Sequence, residues 1–182
     1  MIFIVYKNNI LFKNKLNIIM AQDLLIKMPL VFEPLKKNRW ILRFPSDLGI
    51  QEWTLVSAQR PGITQQAKEI PFLNTSTWVL GRYTWDDINV TFNDAIGPST
   101  SQALMEWVRL HSESVTGRQG YAAGYKRDVE LEMLDPTGNV VSCWVLRNCF
   151  CTNFKGGDLS YSDDAVAQCS VTLKMDYAIL AY

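Results

Sequence analysis

One histidine, His111, is all that 182 residues contain. Catalysis by a Ser-His-Asp triad and metal binding through several imidazoles are therefore poorly served from the start. Net charge is missing as well: Lys and Arg total 18, and so do Asp and Glu. No global field draws such a chain to nucleic acid. With only 10 glycines and 7 prolines, collagen-like and low-complexity chains are excluded. No apolar run approaches the about 20 residues of a membrane-spanning helix. Cys143, Cys149, Cys151 and Cys169 follow no common zinc spacing. They read as small buried apolar side chains, with Cys149 and Cys151 on one strand face.

What is present is a folding composition: 48% apolar, 12% aromatic and 20% charged. A chain of this length buries roughly 70% of its unfolded surface and needs no disulfide staple. Residues 1–19 stand apart, being built from apolar residues, Lys and Asn alone. Their apolar runs are broken by Lys7-Asn8-Asn9 and Lys13-Asn14-Lys15, and no small-residue cleavage site follows, so a secretory signal does not fit. Two readings stay open: a β-type extension, or upstream sequence translated ahead of a true start at Met20-Ala21-Gln22. Either way, residues 20–182 are expected to form a single domain.

Along that domain the period is two, not 3.6. Asp86–Asn93 sets Ile88, Val90 and Phe92 against Asp87, Asn89 and Thr91. Lys126–Leu134 sets Val129, Leu131 and Met133 against Asp128, Glu130 and Glu132. Asp135-Pro136-Thr137-Gly138-Asn139 is a turn, so Val140–Phe150 should return antiparallel. Ala165–Tyr177 reads as one long last strand, and Asn38–Phe44 and Gln51–Gln59 as earlier ones. Ile63–Trp78 has no clean period; Ile63, Ile70, Pro71, Phe72, Leu73 and Trp78 suit a partly apolar hairpin arm turned toward a neighbour. One helix is expected, Thr100–Ser112, with Ser99 and Gln102 at capping-box spacing. Leu104, Trp107, Val108 and His111 make its packed stripe. The fold class is mainly β: a sandwich or barrel-like unit with one packed helix.

No catalytic constellation, phosphate loop or metal site emerges, and neither enzyme activity nor a cofactor is expected. The informative surfaces are the polar strand faces. Asp87/Asn89/Thr91 and Asp128/Glu130/Glu132 are regular and acid-bearing, which suits the wall of a channel that a polyanion must pass without sticking.

Arg60-Pro61-Gly62-Ile63, Ile70-Pro71-Phe72-Leu73-Asn74 and Gly81-Arg82-Tyr83-Thr84-Trp85-Asp86-Asp87 follow one another, the last running straight into Ile88–Asp94. Leu104-Met105-Glu106-Trp107 on the helix and Val171–Tyr177 near the C-terminus complete the order. In this arrangement the chain resembles the tail-tube proteins of contractile-tailed bacteriophages, from about Asn38 to Tyr177. Residues 1–19, the four cysteines and the tryptophans around Trp40 and Trp53 depart from that pattern. The resemblance implies hexameric rings whose strands join across neighbours into one barrel around a lumen. It further implies stacking into a tube for DNA ejection, with the tail sheath, baseplate and tail-terminator proteins as partners. The expected location is the virion tail, assembled in the host cytoplasm. A related inner tube or tube initiator of a contractile injection system is the alternative within the class. A small β-barrel ligand-binding module is the alternative outside it.

Overall fold

The computed structural model describes residues 32–181. The 1–19 segment lies outside them. The chain divides into a unit ending at Lys36 and a unit beginning at Lys37; the fold below is that of the second.

Nine strands follow in order: β1 Trp40–Arg43, β2 Leu55–Ala58, β3 Ile63–Phe72, β4 Thr75–Trp85, β5 Ile88–Asn93, β6 Arg127–Leu134, β7 Val140–Lys155, β8 Gln168–Lys174 and β9 Tyr177–Ala181. Helix α1, Thr100–His111, lies between β5 and β6. Among the described residues no helix is long and apolar enough to cross a membrane.

The strict alternations at β5, β6 and β8 decide the architecture. Each buries one face: Ile88, Val90 and Phe92; Val129, Leu131 and Met133; Cys169, Val171 and Leu173. All neighbouring strands are antiparallel. The first layer runs β1-β6-β7-β9 and the second β7-β8-β5-β2. Their apolar faces meet in one core with Leu42, Leu146, Leu104 and Trp107. The layers are open sheets of a sandwich, not a closed barrel.

β7 belongs to both layers. Its residues 140–149 pair with β6 and residues 143–147 also with β9, and residues 150–155 pair with β8. The change of layer occurs at Asn148, whose φ of 57° lies in the left-handed region that Asn tolerates better than most residues. Its N–H donates to Asp128 Oδ1 at 2.9 Å and fixes the corner. The expected strand Val140–Phe150 therefore continues to Lys155, because the corner bends the strand without ending it.

The long final strand is a correction. Within Ala165–Tyr177 only Gln168–Lys174 is strand, as β8; a turn follows at Met175-Asp176, and β9 starts at Tyr177 and runs on to Ala181, beyond the expected strand. Tertiary bonds make that turn: Asp176 N–H donates to the Arg147 carbonyl at 3.1 Å, and Lys126 Nζ lies 2.8 Å from the Asp176 carboxylate. A second correction concerns Gln51–Gln59, where Glu52–Thr54 forms a 3-10 turn and only Leu55–Ala58 is strand.

α1 starts where its cap placed it. Ser99 Oγ accepts from Gln102 N–H at 3.3 Å, and Asp94 accepts from Ser99 Oγ and from both N–H and Oγ of Ser101. Burial opposes ionisation of Asp94, yet these bonds hold its carboxyl below the usual range. Leu104 and Trp107 are buried, Val108 is half-buried against the core, and Trp107 Nε1–H donates to the Tyr125 carbonyl at 2.8 Å. His111 sits at the end of the stripe, its ring 5.4 Å from that of Tyr125.

Candidate functional site

Three surfaces stand out: a free arm and the two wet faces of the sandwich. The arm is β3 and β4, which pair with each other and, among the described residues, with no other strand. It is longer than Ile63–Trp78, since its second strand runs to Trp85. The register puts Ile63, Ala67, Pro71, Trp78, Leu80 and Tyr83 on one face. Ile70, Phe72 and Val79 occupy the other. Every one of these side chains is exposed. A two-stranded ribbon is only marginally stable alone in water, and one that is apolar on both faces calls for cover on both.

The ribbon's course is set by two local features. The pairing shifts between Gln65 and Ala67 because β4 carries an extra residue there, Gly81-Arg82 standing opposite Gln66 alone, and a Cβ at Gly81 would come within 2.8 Å of the Gln66 carbonyl oxygen. At the tip Leu73 turns the chain with φ 51° while 89% exposed. Left-handed backbone costs a leucine about 1–2 kcal/mol. Within one subunit its side chain recovers none of that by packing.

The two acid-bearing faces lie on opposite sides of the sandwich. Asp87, Asn89 and Thr91 belong to the outer face of the second layer, with Ser57 from β2, Ser170 and Thr172 from β8, and Asn153 and Lys155 from β7. This face is a cross-strand net. Thr172 Oγ1 donates to Asn89 Oδ1 at 2.7 Å, Asn89 Nδ2 to Gln59 Oε1 at 3.2 Å, and Gln168 Nε2 to Asn93 Oδ1 at 3.1 Å. Lys174 Nζ lies 2.8 Å from Asp87 Oδ1.

Asp128, Glu130 and Glu132 belong to the outer face of the first layer, beside Ile41, Val145, Tyr177 and Ile179. Arg43 Nε lies 3.0 Å from Glu132, and Arg147 pairs with Asp128. The Asn148 N–H holds the Asp128 carboxyl below the usual range; burial opposes this and Arg147 reinforces it. Neither face is therefore a sheet of bare acid. The strand-by-strand charge pattern missed Arg43, Arg147 and Lys174 as partners, since their proximity depends on register.

Glu130, Glu132 and Cys143 are the one group of possible metal ligands close together among the described residues. Glu132 is already engaged by Arg43, and burial, with help from Glu130 and Glu132, pushes the Cys143 thiol up. The other thiols are deeper. Burial raises Cys149 to about 12 and Cys151 and Cys169 to about 11, so they stay protonated and weakly reactive. Cys149 and Cys151 do share the buried face of β7.

The same fold occurs in solved structures. The anti-feeding prophage cap that terminates its tube superposes with a TM-score of 0.68 at 16% identity, over 86% of this chain and 96% of that one. The PVC sheath/tube terminator of an extracellular contractile injection system gives 0.65 at 17%, over 84% and 99%. The sheath-tube complex of the same system gives 0.64 at 17%, over 83% and 93%. No curated protein matches the chain significantly. The sequence pattern described as "T4-like virus tail tube protein gp19" matches residues 46–179, and the chain belongs to that tail-tube family.

Proposed function

We propose that the chain is a structural subunit that forms hexameric rings, stacked as the tube of a contractile tail and used as the conduit for DNA ejection. It works without enzyme chemistry. Its partners are further copies of itself, the surrounding sheath, and the baseplate and terminator proteins at the tube ends. Its place is the virion tail, after assembly in the host cytoplasm. Beyond family membership, the observation that carries this reading is the arm: a ribbon apolar on both faces suits a subunit that is completed by neighbours. Electron microscopy of the purified protein tests it. Stacked rings or hollow filaments are expected; a stable monomer at every concentration overturns it. Single rings that never stack favour an initiating or terminating member of the family.

The lumen is assigned to the outer face of the second layer. Its exposed side chains are hydroxyls, amides, the Asp87–Lys174 pair and Lys155, which leave a wetted wall. The first layer carries Tyr177 and Ile179, each more than 40% exposed, beside its acids, and such a mixed face suits contact with protein. Asp87→Lys and Glu130→Lys are a matched pair of charge reversals on opposite faces. Tubes are expected from both, because exposed ion pairs contribute about 0–1 kcal/mol. Asp87→Lys should slow DNA delivery, and more so at low salt, because added cations bind phosphates by counterion release. Slowing by Glu130→Lys alone would move the lumen to the first layer.

A further inference from the structure

The tryptophans that set the start of the domain apart find a place at the flank opposite β7. There the outer edges of β1 and β2 run without a strand partner among the described residues. Between them lies a groove lined by Trp40 and Ile41 from β1 and by Trp53, Leu55 and Val56 at β2. Glu52 is the one charged residue in its lining. Trp53 is 68% exposed, so the groove has an aromatic wall that the subunit itself does not cover.

We propose that this groove receives the arm tip, Phe72 and Leu73, of a second copy of the chain. The contact rests on the tube reading and names the receiving site that it requires. Four observations point to it. The tip is as uncovered as the groove, with Phe72 71% and Leu73 89% exposed. Leucine is held at the turn at a conformational cost that packing inside a neighbour's groove would offset. From Ile70 to Leu80 the arm carries no charged residue, so its tip can enter an apolar groove without burying a charge. Finally, the outer edges of the arm and of β1 and β2 can all still pair, so an extended segment can add backbone hydrogen bonds there.

The geometry makes the contact intermolecular. Ten residues of strand at about 3.3 Å each carry the tip roughly 33 Å from its base. Tip and groove are also different patches, so the contact is head-to-tail: each copy gives one tip and receives another. Such contacts close into rings or continue as filaments.

Leu73→Cys combined with Trp53→Cys tests the contact. After mild oxidation, assembled protein should run as a covalent ladder on non-reducing gels, and neither single variant should. A bridge needs Cα atoms about 4.4–6.8 Å apart, so a ladder reports true proximity. The deep native thiols Cys149, Cys151 and Cys169 are poor competitors. Trp53→Asp gives an independent reading: assembly should weaken about thirtyfold or more, as for a buried aromatic anchor, with the melting temperature unchanged. Tubes from the double-cysteine variant without a ladder, or normal assembly of Trp53→Asp, overturn the groove while the tube reading stands. A ladder from Leu73→Cys with Tyr161→Cys, and none with Trp53→Cys, moves the tip to the 157–168 loop and likewise overturns it. If the wild-type chain never self-associates, the tube reading falls and this contact with it.

Discussion

Phe72→Asp should give a folded subunit that does not build tubes. Phe72 is 71% exposed at the end of β3 and takes no part in the core, so the change is expected to cost the subunit within about 0.5 kcal/mol. In an assembled tube the same side chain would be covered by a neighbour. A carboxylate placed there either loses its water or keeps the neighbour away. Burying an unpaired charge costs several kcal/mol, and each 1.4 kcal/mol is tenfold in association, so the concentration needed for assembly should rise about 100-fold or more. Pelleting measured across a concentration series, beside circular dichroism of the soluble fraction, separates the two effects. Tubes at normal yield would show that the arm is not an assembly surface. Loss of the folded spectrum would show instead that the arm supports its own subunit.

The largest effect on the subunit itself is expected from Trp107→Ala. Trp107 is 1% exposed in the middle of α1. Its ring lies 6.3 Å from that of Phe44, which in turn lies 5.9 Å from Phe92 in the second layer. Its indole N–H is also the donor to the Tyr125 carbonyl at 2.8 Å. Removing it opens a cavity where helix and sheet meet and leaves that carbonyl without its donor. The cost should be about 3–5 kcal/mol, a large share of the about 5–15 kcal/mol that holds a domain. At about 2–4 °C per kcal/mol, the melting temperature should fall by about 6–20 °C. A fall of only a degree or two would mean that α1 is held by its cap and exposed face, not by this side chain.

Where one strand carries a strict alternation, the sequence was legible almost to the residue. Ile88/Val90/Phe92 and Val129/Leu131/Met133 are buried as their period requires. The cap at Ser99 placed the start of α1 for the same local reason: the N–H it accepts from, that of Gln102, lies three residues on. Illegible parts depend on distant partners. Nothing between Lys174 and Tyr177 interrupts the alternation, so the pattern reads straight through the turn to Tyr177 and leaves β9 unread. Arg147 and Lys126, far away in sequence, turn the chain there. The tip of the arm has Leu73 where glycine or asparagine would mark a hairpin, so its second strand was underread. Exposed apolar residues in that stretch did signal an arm, but which face each side chain takes needed the bulge opposite Gln66. The acid-bearing faces were placed correctly on their own strands. Their charge balance was not, because Arg43, Arg147 and Lys174 come from other strands.

The corner at Asn148 gives the sandwich a mechanical property. Here one covalent backbone runs from the middle of the first layer into the edge of the second, with Asp128 clamping the bend. A push on either sheet along β7 is carried by peptide bonds, so the layers have to move as one body. Stiffness of that kind suits a part loaded along its length. It leaves the arm, held only at its base, as the compliant element; in the proposed tube, load would pass through it from one copy to the next.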